Sequence, residues 1–495
     1  MSLISVKNLT FSYDGNSDYL FSGISFDIDT DWKLGLIGRN GKGKTTLLKI
    51  LKGDYECSGK ITSNVSFSYF PFKVKEPNRK TVDIIKKIAK DAYDWEIEKE
   101  INLLKAKKDI LNRSFESLSG GEQVKALLVG LFLRENNFLL LDEPTSHLDL
   151  ETRENLIDYL KKKKGFIVVS HERDLLNKVV DHIISINNTG IEIQKGNFES
   201  FKENRDFKEN FLKEKNEKLE KAIKDLKKAS KKTRNFAEKS EKQKSKKHNK
   251  NEGMIDKGFL GHKSAKIMKK SKVLEKRIDK AISEKTGLLK SIDTQETLKL
   301  SPLENRKGAL ILVNDLKIIY ENKGIFSPVS FEIKDKQRVL IKGKNGTGKS
   351  SLLKLIAGEN VPFEGNIDIL NGLKISYVPQ NTKFLKGSIE NYIEAEKIDS
   401  TLFKTVLSKM GFSRTEFLRG LEDLSEGQKK KILLTKSFCE KANVYIWDEP
   451  LNYLDILTRE QIEEAILNFE PTIIFVEHDS TFSEKIANKI VSLEK

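Results

Sequence analysis

Gly38-Arg39-Asn40-Gly41-Lys42-Gly43-Lys44-Thr45 follows a short apolar run, and Gly343-Lys344-Asn345-Gly346-Thr347-Gly348-Lys349-Ser350 repeats it 305 residues later. Both fit the pattern Gly-x-x-x-x-Gly-Lys-Ser/Thr. Its glycines let backbone N–H groups close around phosphate oxygens, its lysine reaches the terminal phosphates, and its hydroxyl meets a divalent metal. Three further strings repeat downstream at nearly the same offset. Leu118-Ser-Gly-Gly-Glu-Gln123 returns as Leu424-Ser-Glu-Gly-Gln428, Leu140-Leu-Asp-Glu-Pro144 as Ile446-Trp-Asp-Glu-Pro450, and Ser170-His171 as Glu477-His478. Four matched strings in one order mean one unit built twice. Within each unit, short apolar runs such as 138–141 and 166–170 read as buried parallel strands, and 44–51 continues the first glycine loop as a helix. The expected fold is α/β with a mostly parallel sheet, once over residues 1–200 and again over 306–495.

The repeated carboxylates add chemistry to the phosphate loops. Asp142 and Asp448 each end a buried apolar run, where a carboxylate is costly unless it meets a cation; Mg²⁺ with its waters supplies one. Glu143 and Glu449 follow directly, placed to orient or deprotonate an attacking water. His171 and His478 end another apolar run and would contact the terminal phosphate. A single strand-end histidine is commonly structural, but its recurrence in both copies favours the functional reading.

Between the copies the composition changes. The 495-residue chain carries a formal charge of +16, with 33% charged residues. Residues 202–300 alone hold 31 Lys and Arg against 16 Asp and Glu, which leaves the rest close to neutral. Leu212, Leu219, Ile223, Leu226 and Ala229 recur at helical spacing, as do Ile267, Leu274, Ile278, Ile282 and Leu289. The expectation is an antiparallel helical hairpin with a basic loop over 235–262; a solvated tether is the alternative. Such a lysine cluster suits a phosphate backbone, bound electrostatically and without sequence preference. No apolar run approaches the roughly 18 residues of a membrane span. The first residues lack the charged and apolar regions of a secretion signal. Cys57 and Cys439 form no disulfide framework, which suits a reducing cytosol.

Together these strings resemble the ATP-binding cassette superfamily. Two cassettes separated by a charged helical spacer resemble its ABC-F translation factors. The string LGLIGRNGKGKTTLL and the long interhelical loop are similar to the antibiotic-resistance ribosome-protection branch, the group acting against lincosamides, streptogramins A and pleuromutilins. The resemblance implies an ATPase with two tandem P-loop NTPase domains joined by a long antiparallel α-helical hairpin over 201–305. It further implies ATP and Mg²⁺ as cofactors, a cytoplasmic location, and a monomer whose two cassettes close on each other. Each ATP would be sandwiched between one P-loop and the opposite signature string. One site would join Lys44, Asp142, Glu143 and His171 to Ser425 and Gly427. The other would join Lys349, Gln380, Asp448, Glu449 and His478 to Ser119, Gly120 and Gly121. Gly38, Asn40, Gly41, Gly43, Thr45 and Thr46 would line the first phosphate loop, and Gly343, Asn345, Gly346, Gly348, Ser350 and Ser351 the second. Mg²⁺ would fall to Thr45 with Asp142 and to Ser350 with Asp448 and Gln380. Tyr13 and Tyr320 resemble the adenine-stacking aromatics, core packing being the plainer reading. The implied partners are large-subunit ribosomal RNA and the acceptor stem of the P-site tRNA. Lys244, Lys246, Lys247, Met254, Ile255, Phe259, Leu260 and Lys263 would face them near the peptidyl transferase centre.

Two departures from the family pattern cluster. The first cassette reads Tyr69-Phe-Pro-Phe72 where the second reads Tyr377-Val-Pro-Gln380, and the second signature carries Glu426 where glycine is usual. Both fall in the Lys44 site, which is therefore expected to turn over more slowly. P-loop lysine and signature serine stand 75 and 76 residues apart in the two copies, so no extra arm is expected in the first. Other readings are a housekeeping ABC-F factor that relieves stalled ribosomes, or the fused ATPase subunit of a membrane importer.

Overall fold

The computed structural model describes residues 2–13, 19–146, 148–187, 190–246, 297–305, 308–320, 323–344 and 346–494, with isolated positions between 269 and 280. The chain divides into two compact units: Met1–Phe201 with Gln295–Lys495, and Lys202–Thr294. Each half of the first unit is built around a parallel sheet. In the first half the strand order is Ser66–Phe70, Asn137–Asp142, Phe166–Val169, Lys33–Gly38, His182–Asn187, with Gly190–Lys195 added antiparallel at the edge. The second half repeats the order as Ile375–Val378, Val444–Asp448, Ile473–Val476, Arg338–Lys342, Lys489–Ser492. The central strands are buried along nearly their whole length, as covering on both faces requires.

Beside each parallel sheet lies an antiparallel one, which the repeated strings did not announce. Leu3–Phe11 pairs with Phe21–Asp29 and Ser58–Thr62, and Ala309–Tyr320 with Val329–Lys334 and Phe363–Ile369. On the other side, Thr81–Ile88, Asp94–Leu103 and the signature helix Gly120–Phe132 pack into one apolar cluster. Ile389–Ala395, Ser400–Lys409 and Glu426–Cys439 do the same in the second half. Leu298 and Leu300 are buried in that second cluster, and Ser301–Pro302 pairs with Lys441–Ala442. The second cassette therefore draws in chain that precedes residue 306.

The helix Phe198–Lys246 runs 49 residues, about 73 Å at the α-helical rise. It passes residue 235, where the loop was expected to begin. Lysine, glutamate and alanine, all strong helix formers, carry it on, and the first glycine comes only at Gly253. Ile223 and Ile278, one from each expected arm, are both buried. Lys247, Met254, Ile255, Phe259, Leu260 and Lys263 lie outside the described residues, as does Asn345; Lys244 and Lys246 fall on the helix, their side chains undescribed. Among the described residues, no helix is long and apolar enough to cross a membrane.

Candidate nucleotide site

Both glycine loops lead from a central strand into a helix, Lys44–Lys52 or Lys349–Ile356. Gly43 and Gly348 stand just before these helices at φ of 89° and 82°, in the left-handed region. At Gly43 a Cβ would also strike the Phe21 ring at 2.8 Å, so glycine is required there twice over. Lys44 Nζ donates to the carbonyls of Gly38 at 2.8 Å and Arg39 at 3.2 Å, and to Asn40 Oδ1 at 3.3 Å. Lys349 Nζ donates to Gly343 O at 2.8 Å and Lys344 O at 3.0 Å. Each ammonium lies folded over its own loop, and burial lowers the pKa of both.

The strand ends bring the carboxylates to the same place. Thr45 Oγ1 donates to Asp142 Oδ2 at 2.7 Å. Asp448 is buried with neither carboxylate oxygen hydrogen-bonded in good geometry among the described residues; burial raises its pKa against the pull of the nearby Ser350 hydroxyl. A buried carboxylate beside a serine hydroxyl and without a donor of its own fits a divalent cation, which prefers hard oxygen ligands. Glu143 and Glu449 follow with left-handed φ of 50° and 47°, each held by its N–H donating to the next strand, to Val169 O or Val476 O. Such backbone outliers gather at functional sites. His171 Nε2 lies 3.4 Å from Glu143 Oε1, and His478 Nε2 3.5 Å from Glu449 Oε1.

The two glutamates differ electrostatically. Burial, reinforced by Asp142, pushes Glu143 up to about 8. Burial also acts to raise Glu449, but hydrogen bonds from His478 and Gln380 outweigh it, and this carboxyl lies below its usual value. Asn452 Nδ2 adds a bond to Glu449 Oε2 at 2.6 Å. Phe72, at the position matching Gln380, is exposed and has no group to offer Glu143. Instead Tyr69 Oη donates to Asp142 Oδ2 at 2.8 Å, whereas the matching Tyr377 Oη is buried without a partner among the described residues. His171 is held well below its usual range by burial and the nearby Lys44.

Ser119 and Ser425 each cap a signature helix, accepting the N–H of Glu122 or Gln428. A capped helix start presents free N–H groups and a positive dipole end to an anion. Among the described residues, the second signature lies against the opposite cassette. A Cβ on Gly427 would lie 3.1 Å from Asn40 Nδ2 of the first P-loop and 2.5 Å from Tyr453 O. Asn40 Nδ2 donates to Tyr453 O at 2.9 Å, and Asn40 N to Asp455 Oδ2 at 3.3 Å. In contrast, a Cβ on Gly120 would meet nothing within 4 Å, and the nearest atoms to one on Gly121 are those of Thr152 and Leu148 in its own cassette. The structure brings Ser425 and Gly427 to the first P-loop. Among the described residues it does not bring Ser119, Gly120 and Gly121 to the second P-loop. Glu426 does not point its charge freely at the loop: it accepts from Thr382 Oγ1 and lies 3.5 Å from Lys429.

A cavity of about 1030 Å³ is lined from both halves, by Lys44, Thr45, Asp142, Glu143 and His171 together with Ser425, Gly427 and Arg459, and it extends to Lys349, Ser350, Gln380, Glu449 and His478. Tyr13 lines it and bonds Thr46 Oγ1 at 2.6 Å; Tyr320 bonds Ser351 Oγ at 3.3 Å. The halves are also riveted by Arg173–Glu463 at 2.7 Å, nearly fully buried, and by Ser480 donating to Asp174 at 2.8 Å. Sequence reading missed Lys430, Lys431, Asp455 and Arg459. The repeat of Asp149-Leu-Glu-Thr-Arg153 as Asp455-Ile-Leu-Thr-Arg459 was a signal that would have found the last two.

The family described as ABC transporter matches residues 21–146 and 326–452, spanning both glycine loops, both signatures and both Asp-Glu-Pro strings. The chain belongs to that family. It is a tandem pair of ABC ATP-binding cassettes of ABC-F-like arrangement, and an ATPase. It is 31% identical to ATP-binding protein Uup of Buchnera aphidicola subsp. Acyrthosiphon pisum, over 100% of this chain and 81% of that protein. It is 28% identical to ribosome protection protein VmlR of Bacillus subtilis, over 96% and 84%. The crystal structure of archaeal ribosomal stalk protein aP1 with archaeal ribosome recycling factor aABCE1 shares the fold. Its TM-score is 0.61 at 20% identity, covering 99% of this chain and 87% of that one.

Proposed function

We propose that this ABC ATPase is a cytoplasmic ribosome-binding factor whose ATP-closed form places the basic spacer against ribosomal RNA and the P-site tRNA, protecting the peptidyl transferase centre from bound antibiotics. The observation that carries this reading is the pairing of a cross-cassette ATP seat, Asn40 against Gly427, with a spacer holding 31 of the chain's 89 basic residues. Similarity to VmlR along nearly the whole of both chains supports the same reading. The alternative reading is a housekeeping ABC-F factor that relieves stalled ribosomes without drug.

In this reading Lys44 and Lys349 bind the terminal phosphates. Glu143 and Glu449 act on the attacking water, and His171 and His478 hold the glutamates and the phosphate in register. Ser425 and Gly427 complete the Lys44 site from across the cassettes; Ser119, Gly120 and Gly121 complete the Lys349 site once that half closes. Mg²⁺ would be held by Thr45 with Asp142 and by Ser350 with Asp448 and Gln380, where it neutralises phosphate charge. Tyr13 and Tyr320 supply the face for the adenine. Gln380 bonds Glu449 and Phe72 bonds nothing in Glu143, so the Lys349 site hydrolyses faster and the Lys44 site serves as the slower clamp.

The test is co-sedimentation of the Glu143→Gln, Glu449→Gln double variant with ribosomes at low salt. Retention that requires ATP and falls as salt rises supports the reading. Absence of the variant from the ribosomal pellet at low salt with ATP overturns it. Inhibitory drug concentrations in a susceptible bacterium expressing the wild-type chain then separate protection, a rise of several fold, from the second reading, no rise.

A further inference from the structure

Lys430 is the middle of three consecutive lysines in the signature helix Glu426–Cys439, yet it is only 2% exposed. Its Nζ donates to Pro379 O at 3.0 Å and to Asp448 O at 3.0 Å. The first carbonyl directly precedes Gln380, and the second belongs to the residue before Glu449. One side chain therefore ties together the signature helix, the Tyr377-Val-Pro-Gln loop and the end of the strand Val444–Asp448. Burying an amine is costly unless its donors are used, and here two of them meet backbone carbonyls. In the first cassette the residue five beyond the signature serine is Val124, which packs against the apolar cluster. The strut exists on one side of the repeat only.

The same helix reaches the other ATP site. Its Gly427 lies against Asn40 of the first P-loop and against Tyr453 O. A shift of the helix at the Lys44 site must thus move the Lys430 ammonium, and with it the carbonyls that position Gln380 and Asp448 at the Lys349 site. We propose that Lys430 is a positioning residue that couples the two ATP sites: seating of the signature helix on nucleotide at Lys44 sets Gln380 and Asp448 for hydrolysis at Lys349. Coupling of this kind is a free energy shared by two sites, and a double-mutant cycle measures it. The inference rests on the assignment of the Lys349 site as a hydrolysing one.

The experiment uses the full chain with Glu143→Gln, so that hydrolysis reports the Lys349 site. Single-turnover rates and half-saturating ATP are measured for this parent, for added Lys44→Ala, for added Lys430→Met, and for both. Lys44→Ala is expected to slow the parent about tenfold, within the usual range of such coupling. Lys430→Met is expected to do the same while half-saturating ATP stays within about twofold. The combined variant should be no slower than either, and Lys430→Arg, which restores donors, should recover most of the rate. Losses that multiply, a parental rate in Lys430→Met, or an equal failure of Lys430→Arg with lost ATP binding would overturn the coupling. Absence of turnover in the parent would overturn the underlying site assignment as well, which keeps the two failures apart.

Discussion

Gly41 and Gly346 occupy the same position in two copies of one loop. A Cβ on Gly41 would lie 3.7 Å from Glu416 of the second cassette, whereas one on Gly346 would meet nothing within 4 Å. Around Gly41 the second cassette supplies Gly427, Tyr453 and Asp455, and Arg39 approaches Gly411. Near-identical phosphate loops thus stand in different surroundings, and the difference originates in residues outside the loops. The Lys431–Asp455 ion pair is the clearest: 2.9 Å long, almost wholly buried, and in contact with the first P-loop through Asn40 N. Its counterpart Asp149 is exposed and only caps its helix, accepting Thr152 N at 2.8 Å.

That contrast predicts the largest effect on stability. Asp455→Asn strands Lys431 without its counter-charge and should cost about 3–5 kcal/mol. Asp149→Asn keeps a good cap and should cost about 0.5 kcal/mol or less. Chemical denaturation of the two variants measures both. Burial alone would raise the Asp455 carboxyl, but Lys431 and Lys44 hold it well below the usual range. Its share of stability is therefore present above the ordinary carboxylate pKa and lost as pH falls below it. Equal losses in the two variants would erase the contrast.

A smaller effect belongs to the signatures. Gly427→Ala drives a methyl into Tyr453 O and should cost about 1–3 kcal/mol of cassette closure, seen as a rise of about fivefold or more in half-saturating ATP. Gly121→Ala meets the Thr152 methyl at 3.3 Å, a contact that yields by a small shift, and should raise it less than about threefold. Smallest is the pair of tyrosines. Tyr69→Phe removes a hydrogen bond to Asp142 and should cost about 1 kcal/mol in denaturant, while Tyr377→Phe removes an unpartnered hydroxyl and should cost about nothing.

The cassette pair was legible in the sequence because phosphate loops, strand-end carboxylates and signature caps depend on short contiguous strings. The parallel arrangement of the central strands followed from buried apolar runs, and the different surroundings of Glu143 and Glu449 were foreshadowed by Phe72 against Gln380. The antiparallel sheets carry no comparable string; their half-exposed strands alternate too weakly to stand out. Burial among Lys429, Lys430 and Lys431 was also hidden. A lysine run reads as a solvated face, and what buries Lys430 and Lys431 is a pair of carbonyls and an aspartate distant in the chain. The helix running to Lys246 was hidden for the opposite reason: its composition is helical, but its apolar periodicity fades past residue 235, which points to a loop.

The inequality of the two sites is tested most directly by single-turnover hydrolysis of ATP in Glu143→Gln and Glu449→Gln proteins compared side by side. The expected result is that Glu143→Gln keeps most of the wild-type rate and Glu449→Gln loses about a hundredfold or more. Equal residual rates would contradict it.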